Sequence, residues 1–434
     1  MASYTRLTGI DNELATSYEN ICWRLKEKSF TRNRKMNFQT LVKSILFKKG
    51  QTLSLELDEF TDKMGTEKLT KQAYSKQRQN LNPDIFRHLN NCYVNKIYDE
   101  IPIEMFKDFI VLSVDGSGIE LPNSIELKQF FGVAEGQKGS VGRVRAKALG
   151  IYDSLNRIMI KTTIDPYNKS EKDQFLDLLD ELIEFMEDKK FLIVFDRYYF
   201  GLAFINKLNE KGIKYLIRQK LKDYKKEKEQ MKTNDEIVKL KVRNNSIFYA
   251  KEEDKQKLKE KQYIETRIIK IKLPNGADEH LCTNLTEEEL NIKEAGELYF
   301  TRWNIEKSFD IIKNKINIEN FSSKTVVGVE QDFYAQMMVY NMIEDLKRDA
   351  EEEMEKNPEL KYDYKLNMNI LAGIFKKKFI DVLMAPNKEE SSRRYMKMIN
   401  EIRRHVVPIK PGRSFERKRM HSMNKYRNNL RRNI

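Results

Sequence analysis

An α/β fold is predicted: a mixed sheet with helices on its faces, interrupted by an antiparallel β insertion and flanked by helical N- and C-terminal regions. Three observations predict it. Between residues 109 and 217, short apolar runs alternate with amphipathic spacing in the order β-β-β-α-β-α-β. After Lys220 the pattern changes to short alternating segments, which read as antiparallel strands. Before about residue 100 and after 286, apolar residues recur at helical spacing.

With 434 residues the chain exceeds one ordinary domain. Residues 1–100 carry helical spacing, as in Phe38, Leu41, Val42, Ile45 and Leu46, with breaks at Gly50-Gln51 and Asn82-Pro83. Within them, Leu69 to Arg78 is a candidate recognition helix presenting Lys71, Lys76 and Arg78 outward. Residues 101–219 form the first part of an α/β core. Phe109 to Val114 reads as a strand ending at Asp115, followed by a tight turn and a short second strand through Pro122. Arg145–Ile151 and Arg157–Ile164 flank a hairpin turn at Asp153-Ser154-Leu155-Asn156. Ser170 is a candidate N-cap for an amphipathic helix containing Phe175, Leu178, Leu179 and Leu182. A buried strand, Phe191 to Phe195, ends at Asp196; helix Leu202–Leu208 and strand Tyr215–Ile217 complete the order. Residues 220–285 are the β-rich insertion, with segments around Ile237–Val242, Ser246–Tyr249 and Tyr263–Leu273. Residues 286–325 return to the core as one helix through Lys315, with Thr286 and Glu289 spaced as a capping box. Residues 326–434 are further helices and a basic tail.

A net charge of +14 points to a polyanionic partner. Its distribution sharpens the point: from Glu401 to Ile434 there are eleven Lys or Arg against two Glu, a tail suited to phosphate backbones. Cys22, Cys92 and Cys282 are isolated and without a CxxC pair, so neither a disulfide framework nor structural zinc is supported. Four scattered His weaken any scheme built on a His base. No apolar run approaches the roughly 18 to 20 residues of a membrane span, and the first residues lack a signal-peptide core, so a cytoplasmic, nucleoid-associated protein is expected.

Asp115 and Asp196 each close an apolar run, which would project both carboxylates from the carboxyl ends of strands in one sheet. Taken singly, either Asp suits an ordinary turn cap. Tyr299, Arg302, Glu306 and Lys313 fall at roughly 0°, 300°, 340° and 320° around a helix, one narrow stripe. A stripe of one carboxylate, two cations and a phenol is a poor core face, although Arg302 and Glu306 also suit a simple i,i+4 surface pair. Asp115, Asp196 and Glu306 converging at one point would repel each other unless a cation lay between them, and oxygen-only ligation suits Mg²⁺. Two such ions, roughly 3.5 to 4 Å apart, would serve phosphodiester chemistry. Arg302, Lys313 and Tyr299 would then hold neighbouring phosphate oxygens.

At these residues the chain resembles the DDE transposases of bacterial insertion sequences in the family named IS-four, marked by Tyr-x2-Arg-x3-Glu-x6-Lys. Tyr299, Arg302, Glu306 and Lys313 match every defined position. Asp115-Gly116-Ser117 resembles that family's first catalytic segment and Asp196-Arg197-Tyr198-Tyr199 its second. Tyr215 to Arg218 is similar to the strand beyond, whose Arg faces DNA, and Leu281 to Leu285 to the segment leading back to the catalytic helix. The resemblance spans about residues 30 to 320. It implies an RNase H-like core and Mg²⁺ as cofactor, two ions held by Asp115, Asp196 and Glu306, with Mn²⁺ able to substitute. Arg197, Tyr199, Arg218, Tyr299, Arg302, Trp303 and Lys313 become expected DNA contacts. Double-stranded DNA, terminal inverted repeats and target DNA are the implied partners, engaged by a homodimer on paired ends. Relatives that excise through a DNA hairpin use a Trp in the β insertion. Here only Trp23 and Trp303 exist, so Trp303 would form one wall of such a base pocket, with Tyr263, Phe248 or Tyr249 as the other.

Two other functions keep parts of this pattern. An RNase H-like nuclease would stop at hydrolysis, and the Tyr-Arg-Glu-Lys stripe argues against it. A catalytically inactive DNA-binding remnant would keep the basic surfaces, and the intact Asp115, Asp196 and Glu306 argue against that.

Overall fold

The computed structural model describes residues 2–17, 21–31, 36–135, 142–247, 251–273, 276–352, 354 and 362–410. The basic tail beyond Lys410 and the pair Phe248 and Tyr249 therefore lie outside the described residues. No described helix is long and apolar enough to cross a membrane.

The N-terminal helices are α1 (Ala2–Thr8), α2 (Ile10–Ser17), α3 (Phe38–Leu46), α4 (Leu53–Met64), α5 (Lys71–Arg78) and α6 (Asp84–Glu100). Asn37 caps α3 by accepting from the Thr40 amide, and the helix buries the Phe38, Leu41, Val42, Ile45 and Leu46 stripe that its spacing predicts. Helix α5 forms where a recognition helix was expected, but Arg78 is not presented outward. It is 2% exposed and donates to Gln331, Ser322, the Gly328 carbonyl and Asp332, because its guanidinium satisfies buried acceptors on the C-terminal side.

The next elements are β1 (Ile110–Glu120), α7 (Ile125–Phe131), β2 (Val133–Ala134), β3 (Arg143–Asp153), β4 (Ile158–Pro166), α8 (Glu171–Phe185), β5 (Phe191–Phe195), α9 (Leu202–Glu210) and β6 (Lys214–Gln219). Then come α10 (Lys225–Glu229), β7 (Asp235–Lys241), α11 (Glu252–Lys261), β8 (Tyr263–Lys272) and β9 (Asp278–Thr283). The chain continues through α12 (Ile292–Phe300), α13 (Trp303–Asn314), α14 (Val326–Glu352), β10 (Tyr364–Leu366), α15 (Met368–Leu383), α16 (Lys388–Arg403) and β11 (Val406–Pro408).

One mixed sheet runs β3-β1-β5-β6-β9-β8-β7, with β4 and the short β2 both paired to β3. Strands β4, β3 and β1 are antiparallel, β1, β5 and β6 parallel, and β6, β9, β8 and β7 antiparallel again. The strands after Lys220 thus continue the main sheet from β6 outward. Of the expected strand Ser246–Tyr249, Ser246 and Ile247 lie in a 3-10 turn, Asn244–Ile247, and the rest lies outside the described residues; helix α11 precedes β8.

Three local expectations change. Residues 110–120 are one strand rather than strand, turn and strand. Pairing with β3 persists from Leu112↔Asp153 to Glu120↔Arg145, so the glycines at 116 and 118 stay extended instead of turning. Thr286 and Glu289 do exchange capping-box hydrogen bonds, yet they close only a turn; the helix starts at Ile292, capped by the reciprocal Asn291–Glu294 box. The single helix carrying Tyr299 to Lys313 is broken at Thr301-Arg302. There the amides of Thr301, Arg302, Asn304 and Ile305 bond three residues back, tightening the turn between α12 and α13.

Helix α14 is the hub. Its 27 residues are buried along most of their length against α6, β4 and α3. Buried ion pairs fasten the N-terminal helices to it: Arg6 to Asp345 at 2.7 Å and Arg78 to Asp332 at 3.0 Å. One apolar cluster joins residues from α1 through the sheet to α16.

Candidate active site

The site forms where β1 outruns its parallel neighbour. Pairing between β1 and β5 ends at Ser113↔Val194, so Asp115 and Asp196 stand side by side two residues further on, each beyond the last paired position. Asp115 is therefore mid-strand on its β3 side, opposite Gly150, and at an open edge on its β5 side. Asp115 thus lies inside its strand and not at the strand's end, while Asp196 directly follows β5.

Helix α13 lies along this edge and is tied at both ends. In its first turn Asn304 donates to the Ser154 carbonyl at 3.0 Å; in its last turn the Lys313 ammonium donates to the Gly118 carbonyl at 2.6 Å. Between them Phe309 packs over Gly150, where any side chain would meet the Phe309 ring at 3.3 Å and the Met159 sulfur at 2.8 Å. Glu306 is thereby held beside Asp115. Burial pushes the Asp115 carboxyl up to about 7; Arg302 opposes this, while Glu171 and Glu306 add to it.

Arg302, 5% exposed, donates to Glu306 Oε1 at 2.6 Å, and its guanidinium lies 4.7 Å from the centre of the Trp303 ring. Its Nε is buried without a hydrogen-bond partner among the described residues. Tyr299, at the end of α12, is buried; burial lifts its hydroxyl to about 12, with Arg302, Arg218, Glu279 and Asp196 as charged neighbours. Arg218 on β6 pairs with the buried Glu279 of β9 at 2.9 Å. Asp196 Oδ1 accepts from the Tyr198 amide at 2.7 Å, and Arg197 is exposed.

Several of the predicted residues lie near this edge, and others do not take the place expected of them. Among the described residues no group of three carboxylate, His or Cys side chains stands close enough to hold a metal, so the expected cage is not closed. Glu306 engages Arg302 and Asp196 caps its own turn, each satisfying its charge locally. Tyr199, expected to face DNA, is fully buried against Phe195 and Phe204, because the residue that turns outward after Asp196-Arg197 is Tyr198, 45% exposed. Lys313 holds the β1 backbone, which anchors α13. Of the suggested partners for Trp303, Tyr263 stands at the start of β8 and is exposed. Trp303 itself is 39% exposed.

Sequence reading missed two contributors. Gly150 looks like any strand glycine until the register sets it opposite Asp115 and under Phe309. Glu171, directly after the Ser170 cap, looks like an ordinary first-turn acid, yet its carboxylate fills the space beside Gly116. Only the crossing of α8 over β1 reveals it.

Residues 107–342 match the family described as transposase DDE domain. No curated protein sequence matches the chain. Among solved structures, a cryo-EM structure of a piggyBac transposase synaptic complex with hairpin DNA is similar at 10% identity and a TM-score of 0.41, over 95% of this chain and 86% of that one. With the family match taking in more than half of its length, and Asp115, Asp196 and Glu306 all inside the matched segment, the chain belongs to the DDE-domain transposases.

Proposed function

We propose that this chain is a cut-and-paste DNA transposase of the IS-four type, which cleaves DNA at the ends of a mobile element and joins the freed 3′ ends to target DNA. The observation that supports it is the parallel pairing of β1 and β5, which leaves Asp115 and Asp196 each two residues beyond the last paired position, with Glu306 of α13 acting on Asp115. The strand order β4-β3-β1-β5-β6, three antiparallel and then two parallel, supports an RNase H-like core. Residues 220–285 are its insertion, residues 1–100 its DNA-end-binding part, and Tyr299, Arg302, Glu306 and Lys313 its signature.

The donors fit a hard divalent cation. They are carboxylate oxygens without His or Cys, and burial with like-charged neighbours raises the Asp115 carboxyl, a cost that a cation would offset. Asp115, Asp196 and Glu306 would hold it, Glu306 turning from Arg302. Bound Mg²⁺, or Mn²⁺ in its place, would supply activation of the attacking water or 3′ hydroxyl and stabilisation of the leaving oxygen.

The chain's own groups handle the rest. Arg302 presents a fork of donors, one of them already unpartnered and buried, to a phosphate oxygen next to the reacting one. Trp303 flanks that fork and offers an exposed face to a base. Arg218 and Tyr299 line the β6 side, and Arg197 the exposed turn after Asp196. The partners are double-stranded DNA, as terminal inverted repeats and target, held by a homodimer on paired ends.

Inverted repeats flanking the gene supply the substrate for the test. Mg²⁺-dependent nicking and strand transfer, abolished by Asp196→Asn with DNA binding retained, are expected. Nicking without joining would instead indicate a nuclease, and binding without either an inactive remnant.

A further inference from the structure

We propose that Glu171 is a fourth carboxylate of this site, helping Asp115 to hold the divalent cation; the inference rests on the reading of the site given above. Its carboxylate occupies the space that a side chain at position 116 would fill: an added Cβ there would stand 2.4 Å from Glu171 Cδ and 2.6 Å from Oε1. Gly116 directly follows Asp115, and both lie past the last residue of β1 paired to β5. Beyond that pair the sheet has no strand between its faces on this side. A carboxylate reaching in from α8 lies against the backbone directly after Asp115, and its charge acts on Asp115.

Two further features favour a ligand rather than a structural salt link. The polar neighbours of Glu171 are distant: Lys147 Nζ is 3.4 Å from Oε1, and Tyr199 Oη donates to Oε2 at 3.4 Å. Neither is the short, charge-assisted contact that a committed structural pair makes. Arg302, whose side chain is 7% exposed, keeps a buried, unpartnered Nε at the same site and exerts its charge on Asp115, as Glu171 does. An orphaned donor beside a set of carboxylates suits a phosphate ester bridging to a cation.

The test measures cation binding on the full chain without DNA, by Mn²⁺ paramagnetic resonance. Glu171→Gln keeps the shape and loses the charge, and should weaken Mn²⁺ binding about tenfold, with unchanged circular dichroism and unchanged affinity for end DNA. Gly116→Ala, which must push the Glu171 carboxylate aside, should lower Mn²⁺ affinity in the same direction and covers the case in which Glu171→Gln fails to fold. Wild-type Mn²⁺ affinity in folded Glu171→Gln overturns the proposal. Asp115→Asn is run in parallel: if it too binds Mn²⁺ normally, the cation site itself fails, whereas loss in Asp115→Asn alone rejects only the role of Glu171.

Discussion

Asp332→Asn should destabilise the protein by about 3 to 5 kcal/mol at pH 7. Asp332 is fully buried on α14. Its carboxylate meets Arg78 Nη2 at 3.0 Å, Lys48 Nζ at 3.2 Å and the Ser322 amide at 2.6 Å. Burial pushes the carboxyl up, but Arg78, Lys48 and Ser322 outweigh it and hold it at about 2. A fall of roughly two units from the ordinary value is worth about 2 to 3 kcal/mol. The amide variant also leaves two buried cations without their counter-charge, which raises the loss toward the upper figure. The network joins α5 and the end of α3 to α14 and to the segment after α13, so its loss loosens the N-terminal helices from the sheet. Urea unfolding followed by circular dichroism measures the effect. Because the folded carboxyl titrates below the unfolded one, the wild-type advantage is complete above about pH 4 and fades as the pH falls toward 2. A loss under about 1 kcal/mol at pH 7, or a difference that does not narrow below pH 4, refutes the reasoning.

Other perturbations probe the remaining links. Gly150→Val forces a side chain against Phe309 and Met159; it should cost about 1 to 3 kcal/mol and lower DNA cleavage further than that loss explains, by tilting α13 and Glu306. Equal cleavage per folded molecule would contradict that. Trp303→Ala removes the ring beside Arg302 and should slow cleavage by about fivefold, since a cation–π contact at such a site is worth about 1 kcal/mol. Arg302→Lys keeps the charge but loses the planar fork, and should impair cleavage more than it impairs end-DNA binding, read by gel shift against nicking rate. Lys376 is half-buried, donates to the Ile316 carbonyl, and is pulled down to about 7 by desolvation. Its folded value lies below the unfolded one, so between pH 7 and pH 9 the wild type should gain on the order of 1 to 2 kcal/mol that Lys376→Met does not gain.

Much of the fold was legible because the local signals were unambiguous. The Asp153 to Asn156 turn formed as its residues demand, with the Asp153 carboxylate accepting from the Leu155 and Asn156 amides, and Ser170 capped α8 as expected. What misled was tertiary context. Gly116 and Gly118 suggest a turn, but a full-length partner strand keeps them extended. The run from Tyr299 to Lys313 has an unbroken helical period, yet the chain tightens at Thr301-Arg302, so Tyr299 ends α12 while Glu306 rides on α13. Arg78 sits on a polar helix and looks solvated; its partners are more than 240 residues away. Tyr198 and Tyr199 differ only in which of two neighbours turns inward, which their shared side-chain type does not encode. Glu171 needed the crossing of α8 over β1.

The most direct measurement is divalent-cation-dependent processing, by the purified chain, of DNA carrying the terminal repeats proposed as its substrate. Wild-type protein should nick the end and join the new 3′ hydroxyl to a second duplex only when Mg²⁺ or Mn²⁺ is present. Asp115→Asn, Asp196→Asn and Glu306→Gln should each bind the same DNA and do neither. Undiminished joining by any of the three would contradict the assignment of that carboxylate to the chemistry.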